Sequence, residues 1–508
     1  MPLWACKTTT MVNNQAISKS DMDTTVSPGD NFYQYANGGW LINNPLTEEY
    51  SRFGSFDKLQ EENNEQVKSI IEKLVSGKNN SYTDQLVGKF YAQGMDSATI
   101  ELQQAEALQS YFETIDKIAS YNDFETVLSS FHEMGISPFF SCSSTPDKKN
   151  SDWVITGIWQ GSLGMNDRDY YLKTDSRTKE IQTAYKKYVA TLFNLIGYSE
   201  GKTTSLAESI FEFEKELAES SMSRLEMRDP QLTYNKMTLK ELSELSSVIN
   251  WNAYFDSMHI ETNDEITIGQ TKYMEFLGEF IKKTDLNLLK DYLKFYLTST
   301  SASYLSNEFV DTQFEFYGKV MQGKEQNKPR WKRITSYTNS AVGEALGQAY
   351  VKEYFPPESK ARMEQLVSNL IAAFGERINN LEWMTDTTKA EAIEKLGKIN
   401  VKIGYPDKWR DYTNLKFDSK YFLLNVMEAR TNNKAYQLAK IGKEVDPDEW
   451  LMLPHTVNAY YHPVYNEIVF PAAILQPPFF FPDADDAVNY GAIGVGIARI
   501  PIPTISAI

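Results

Sequence analysis

The sequence predicts a mainly α protein: a large helical domain, then the beginning of a second, mixed α+β domain. Three observations carry this reading. Apolar residues recur at helical spacing through most of residues 55–400. The texture changes near Gly404-Tyr405-Pro406-Asp407. Two β-like stretches, Val457 to Tyr461 and Glu467 to Phe470, then flank a turn containing His462-Pro463.

The helical elements follow in chain order. Phe56, Leu59, Val67, Ile70, Ile71 and Leu74 form one apolar stripe, and Gly77 stops it. Tyr185, Tyr188, Val189, Leu192, Phe193 and Ile196 form another that ends at Gly197. Thr238-Leu239-Lys240-Glu241 fits a capping box, with Met237 and Leu242 spaced as its hydrophobic staple. Met363 through Leu381 marks a long amphipathic helix just after Pro356-Pro357. Beyond the β-like stretches, Pro471, Pro477, Pro478 and Pro482 punctuate an apolar loop. The division expected is a flexible tail over 1–20, a helical domain over 21–407, a connecting segment over 408–456, the start of a second domain over 457–495, and an unrelated tail over 496–508.

Composition narrows the function. The 508 residues carry 51 Lys+Arg against 68 Asp+Glu, a net charge of −17. A surface this acidic repels phosphate backbones and argues against nucleic-acid binding. Two cysteines, Cys6 and Cys142, supply neither a disulfide framework nor a thiolate zinc site. No apolar run is long enough for a transmembrane helix. Leu3-Trp4-Ala5-Cys6 resembles a lipoprotein cleavage box, whose Cys6 would carry a lipid anchor, and the polar stretch Lys7 to Ser20 suits a tether. A clipped start favours the bacterial envelope or periplasm; an authentic start favours the cytoplasm.

Motif searching finds no phosphate loop, no dinucleotide fingerprint and no G-x-S-x-G elbow. The spaced glycines Gly491, Gly494 and Gly496 read as a packing feature. His132-Glu133 begins an H-E-x-x-H pattern, but Ile136 stands where the second histidine belongs, so the pair reads as surface. His455 and His462 lie seven apart, an odd spacing that sends strand side chains to opposite faces. His259 reads as a core or surface histidine.

One series of ordered segments stands out along the chain. It runs from Ser27-Pro28-Gly29-Asp30-Asn31-Phe32-Tyr33 through Ser51-Arg52-Phe53-Gly54-Ser55-Phe56-Asp57, Arg168-Asp169-Tyr170-Tyr171-Leu172 and Arg228-Asp229-Pro230. It continues through Pro329-Arg330-Trp331 and Glu382-Trp383-Met384 to Val457-Asn458-Ala459-Tyr460-Tyr461 and Asn466-Glu467-Ile468-Val469-Phe470-Pro471. This series resembles the neprilysin and endothelin-converting-enzyme family of zinc metallopeptidases, and the lack of a disulfide set is similar to its bacterial oligopeptidase branch. The resemblance implies a neprilysin-like helical domain, a thermolysin-like α+β catalytic domain, zinc as cofactor, and hydrolysis of oligopeptides. It also implies that Asn458 and Ala459 hydrogen-bond substrate backbone at a sheet edge, and that Arg52 receives a substrate's C-terminal carboxylate.

One departure decides the chemistry expected. Where the family carries H-E-x-x-H, this chain places Arg499, Ile500 and, at the second ligand position, Pro503. A guanidinium offers zinc no lone pair, Ile takes no proton, and Pro501 and Pro503 break a helix. The expectation is therefore a C-terminally truncated member with no catalytic residue and no zinc of its own. Five Ile, two Pro and one charge in Gly496 to Ile508 fit a frame break after Val495, and an unfinished domain would expose strand edges across Val457–Phe470. The alternative expectation is a non-catalytic peptide-binding or interaction protein built on the helical domain.

Overall fold

The computed structural model describes residues 18–77, 81–261 and 265–499. The chain divides into two compact units, each assembled from separated stretches. The first comprises Met1–Ile70, Glu344–Trp409 and Pro447–Ile508; the second comprises Ile71–Gly343 and Arg410–Asp446. Helices dominate, and the strands among the described residues are β1 (Phe140–Asp147), β2 (Asn150–Gln160), β3 (Asn235–Met237), β4 (Ile266–Ile268), β5 (Asn400–Gly404), β6 (Tyr460–His462) and β7 (Glu467–Pro471).

The expected helices form where their stripes place them. Helix Ser55–Ser76 buries Leu59, Val67, Ile70 and Ile71. Helix Ser176–Leu195 ends before Gly197, whose φ of +95° a side chain would resist. Helix Leu239–Leu245 carries the complete capping box of Thr238 and Glu241. Helix Pro357–Asn379 starts with proline in its first turn, where the missing N–H costs nothing.

The second unit contains a sheet that helical periodicity did not announce, in the order β1-β2-β4-β3. β1 and β2 form an antiparallel hairpin, β2 runs parallel to β4, and β3 closes antiparallel to β4. Its inner strand β2 carries Trp153-Val154-Ile155-Thr156, an aromatic and three β-branched residues that prefer a pleated surface. Around it Phe124, Phe139, Phe140, Trp251, Tyr254 and Tyr292 join one continuous core.

Within that core His132 is a correction: it is fully buried, not a surface residue. It follows Phe124 and Leu128 at four-residue spacing on helix Tyr121–Glu133, so it shares their inward face. One ring nitrogen lies 2.7 Å from the Tyr254 hydroxyl and the other 3.2 Å from the Pro138 carbonyl. Burial pushes its pKa down to about 3, which keeps the ring neutral. Cys142 is a free, buried thiol that burial pushes up to about 12.

The first unit holds the second sheet, ordered β5-β7-β6, with β5 parallel and β6 antiparallel to the central β7. All five residues of the central β7 are buried, so within Val457–Phe470 it is β6, half-buried at one edge of the sheet, that leaves a strand edge unpaired among the described residues, and β5 forms the other edge. Gly404 ends β5 at φ +82°, and a Cβ there would lie 2.6 Å from the Phe355 ring.

Candidate functional site

Building the candidate site begins at β6. The backbone before it is a turn: Asn458 N–H donates to the Thr456 carbonyl, and Ala459 N–H donates to the Asn458 side chain, both at 2.9 Å. This turn delays the strand to Tyr460, three residues later than the alternating pattern suggests. Asn458 is exposed and Ala459 half-buried, directly at the entrance of the edge strand. Register is then fixed, with Tyr460 opposite Val469 and His462 opposite Glu467.

A buried polar cluster secures that edge. The Glu467 and Lys402 side chains are 2% and 7% exposed and form an ion pair at 2.5 Å. Lys402 also donates to the Glu449 carbonyl at 2.6 Å. The Tyr460 hydroxyl donates to Glu467 Oε1 at 2.9 Å and accepts from Leu451 N–H at 3.2 Å. Burial, with the Glu467 carboxylate nearby, raises the Tyr460 pKa and keeps its phenol a donor. A paired charge inside a dry site is costly to break, so the cluster holds the strand in one register.

Arg52 sits on the loop entering helix Ser55–Ser76 and is exposed. Its neighbours are anchored. Phe53 stacks on Trp40 with centroids 6.3 Å apart and meets Tyr50 edge-on at 5.3 Å, while the Tyr50 hydroxyl donates to Glu61. Gly54 N–H donates to Asp57 at 2.9 Å and closes the turn. Phe53, Gly54 and Ser55 line a cavity of about 590 Å³ together with Trp40, Pro477 and Pro478. No hydrogen bond or ion pair joins Arg52 to Asn458 or Ala459 among the described residues; they share the first unit as separate elements.

The loop between β7 and the last helices contains residues that sequence reasoning left without a role. Asn489 is fully buried and clamps Phe481, accepting from its N–H at 2.8 Å and donating to its carbonyl at 3.0 Å. Arg362 donates to the carbonyls of Pro482 and Ala484 and pairs with Asp486 at 2.6 Å. Two polar side chains thereby fix a proline-rich loop whose own backbone offers few donors.

Among the described residues the histidines and acids do not converge into a donor set that fits a zinc ion. Both His132 nitrogens are engaged in the core, His259 is exposed at φ +54°, and His462 stacks on Tyr465 while accepting from its N–H. Among the described residues no group of three or more His, Cys, Asp or Glu is arranged to hold a metal. The glycine-spaced run is helical, Asp486–Gly491 and Ile493–Arg499, broken at Ala492. Nothing packs within 4 Å of a Cβ built on Gly491 or Gly496 among the described residues, so only Gly494 acts as a contact glycine. Ile500, Pro501, Pro503, the rest of the tail, and Cys6 with its cleavage-box neighbours lie outside the described residues.

Comparisons with known proteins converge. Residues 28–406 match the N-terminal model of peptidase family M13, and residues 458–499 match the model described as peptidase family M13. Endothelin-converting enzyme 1 of Bos taurus is 32% identical over 507 residues, covering 94% of this chain and 66% of that protein. Neprilysin-11 of Caenorhabditis elegans is 30% identical, covering 94% of this chain and 60% of its own length. The chain thus spans about two thirds of the length of the curated relatives it matches. The zinc metalloprotease Zmp1 of Mycobacterium tuberculosis, in complex with an inhibitor, superposes with a TM-score of 0.89 at 32% identity, covering 95% of this chain and 73% of that one. PepO of Lactobacillus rhamnosis shares the fold, with a TM-score of 0.85 at 19% identity, 93% of this chain and 75% of that one.

Proposed function

The chain belongs to peptidase family M13, and from that premise we propose that this 508-residue polypeptide docks oligopeptides along β6 without hydrolysing them. The observation that supports docking is the edge strand β6, held in register by Tyr460, Glu467 and Lys402, with Asn458 and Ala459 at its entrance. An extended peptide would add as a further strand, its backbone paired to β6 and to Asn458. Arg52, exposed on an anchored loop, would receive the peptide's C-terminal carboxylate through its planar donor fork.

The observation that supports the lack of hydrolysis is the donor set. Bound zinc supplies peptidases with a water acidified towards neutral pH and a polarised carbonyl. Arg499 at the first ligand position supplies no lone pair, and Ile500 at the base position accepts no proton. This chain's own residues are then left with binding and orientation. The alternative of an interaction protein built on the helical domain shares these features and differs in needing no peptide at β6. A lipid on Cys6 would add an envelope tether, which acyl labelling of the chain against Cys6→Ser tests.

Fluorescence anisotropy with a labelled oligopeptide, in free-acid and C-terminally amidated forms, tests the docking. Arg52→Ala should cost the free acid about tenfold in affinity and leave the amide unchanged, as expected for a charge-assisted pair. Asn458→Ala should weaken both. Equal binding by all three proteins would remove β6 as the docking edge.

A further inference from the structure

We infer that the second unit carries its own carboxylate-binding pocket, between the loop 161–168 and the segment 221–227, suited to an acidic side chain or the C-terminus of an oligopeptide. It is separate from β6 and Arg52, belongs to the other unit, and stands without the docking reading. The cavity measures about 370 Å³, within the range of small-ligand sites. Its charged lining is Arg168 and Arg224 against a single carboxylate, Asp167.

Each guanidinium is only partly engaged. Arg224 pairs with Asp167 through Nε, which leaves its two terminal nitrogens outside that pair, and its side chain is 74% exposed. Arg168 donates through Nη1 to the Ser221 carbonyl. Outside the lining, Asp169 pairs with Lys173, while Glu226 accepts from Ser223 and keeps its charge near Arg168, a competing field that a bound carboxylate has to outweigh. Trp159, Leu163, Met222 and Met227 give the cavity apolar walls, which a bare inorganic anion would not use. Cation surplus beside apolar wall fits a carboxylate carried on a peptide.

The loop that presents Asp167 and Arg168 is built to stay in place. Glu214 is fully buried, and one of its carboxylate oxygens accepts from Gly164 N–H at 2.9 Å. Tyr171, Tyr185 and Tyr292 donate their hydroxyls to the same carboxylate. Met165 N–H donates to Tyr171 Oη at 2.8 Å, and Tyr317 donates to the Gly164 carbonyl at 2.7 Å. On the facing side Gln270, 5% exposed, bridges Gln160 and Met222 N–H. A surface loop fastened to a buried carboxylate on one side and an amide ladder on the other is preorganised, so little ordering cost remains when a ligand arrives.

The test is titration of the full chain with three labelled pentapeptides: Ac-AAEAA-amide, Ac-AAAAA with a free C-terminus, and Ac-AAAAA-amide. Arg52→Ala/Asn458→Ala background removes the β6 contribution, and amide hydrogen exchange over 161–168 and 221–227 reports location. One or both of the first two peptides should bind and slow exchange there, and which one does so identifies the carboxylate's source. Arg224→Gln, at a side chain 74% exposed, should weaken that binding about tenfold, with a urea melt of the variant checking that it folds. Asp167→Asn, which removes the competing carboxylate and keeps an acceptor for Asp169 N–H, should tighten it several-fold. Equal binding of the uncharged amide, unchanged affinity in Arg224→Gln, or absence of any exchange protection in this pocket would overturn the assignment.

Discussion

The hydroxyl of Tyr460 stands 2.9 Å from Oε1 of Glu467, and that contact ties the edge strand β6 to a buried ion pair. Removing Lys402 as Lys402→Met would leave the Glu467 carboxylate buried and uncompensated, at a cost of about 3–5 kcal/mol. Tyr460→Phe removes one hydrogen bond and should cost about 1 kcal/mol. Urea melts of the two variants check the ranking, and exchange of the β6 amides should quicken in both.

Histidine burial sets a pH dependence. His132 and His455 are buried, and burial lowers their folded pKa values to about 3 and about 4, below the ordinary histidine value. The unfolded chain therefore binds more protons than the folded one as pH falls below about 6.5. Stability declines in that direction, by roughly 1.4 kcal/mol per pH unit for each ring, until the folded values are reached. Denaturant midpoints between pH 7.5 and 5 should show this slope, and His132→Gln should lose about one proton's share of it.

Gly164 admits no side chain, because a Cβ built there would lie 1.8 Å from the Tyr185 hydroxyl. Gly164→Ala must displace either Tyr185 from Glu214 or the loop from its fastening. A loss of about 1–3 kcal/mol is expected, with faster exchange at Met165, while Gly197→Ala, at a position with open space, pays only for its positive φ.

The capping box gives a smaller, local effect. Thr238 accepts from Glu241 N–H at 3.2 Å, and Glu241 returns the bond to Thr238 N–H at 2.8 Å. Thr238→Ala should cost about 1 kcal/mol and fray helix Leu239–Leu245 first, which exchange at that helix would register.

Legibility in the sequence followed locality. The capping box at Thr238, the stop at Gly197 and the proline start of helix Pro357–Asn379 are written within a few residues, and each formed where its pattern stands. In the sheet of the second unit β3 and β4 escaped because three-residue strands leave no period to read and β4 joins β2 from more than a hundred residues away, whereas the β1–β2 hairpin is local and its Val154-Ile155-Thr156 run was there to be read. His132 was misread because its motif was tested for chemistry, whereas its four-residue spacing from Leu128 already placed it inward. The ion pair of Lys402 with Glu467 and the clamp of Asn489 on Phe481 join distant segments. Only folding makes them visible. Asn458, Ala459 and Arg52 became candidates through family resemblance, since their residue types alone carry no mark of peptide binding.

The most direct test of docking without hydrolysis is one incubation: the 508-residue chain, one equivalent of zinc, and a labelled, internally quenched oligopeptide. Anisotropy should rise with protein concentration while the quenched signal stays flat over hours. A signal that grows in proportion to the protein, and that a chelator abolishes, would contradict the account.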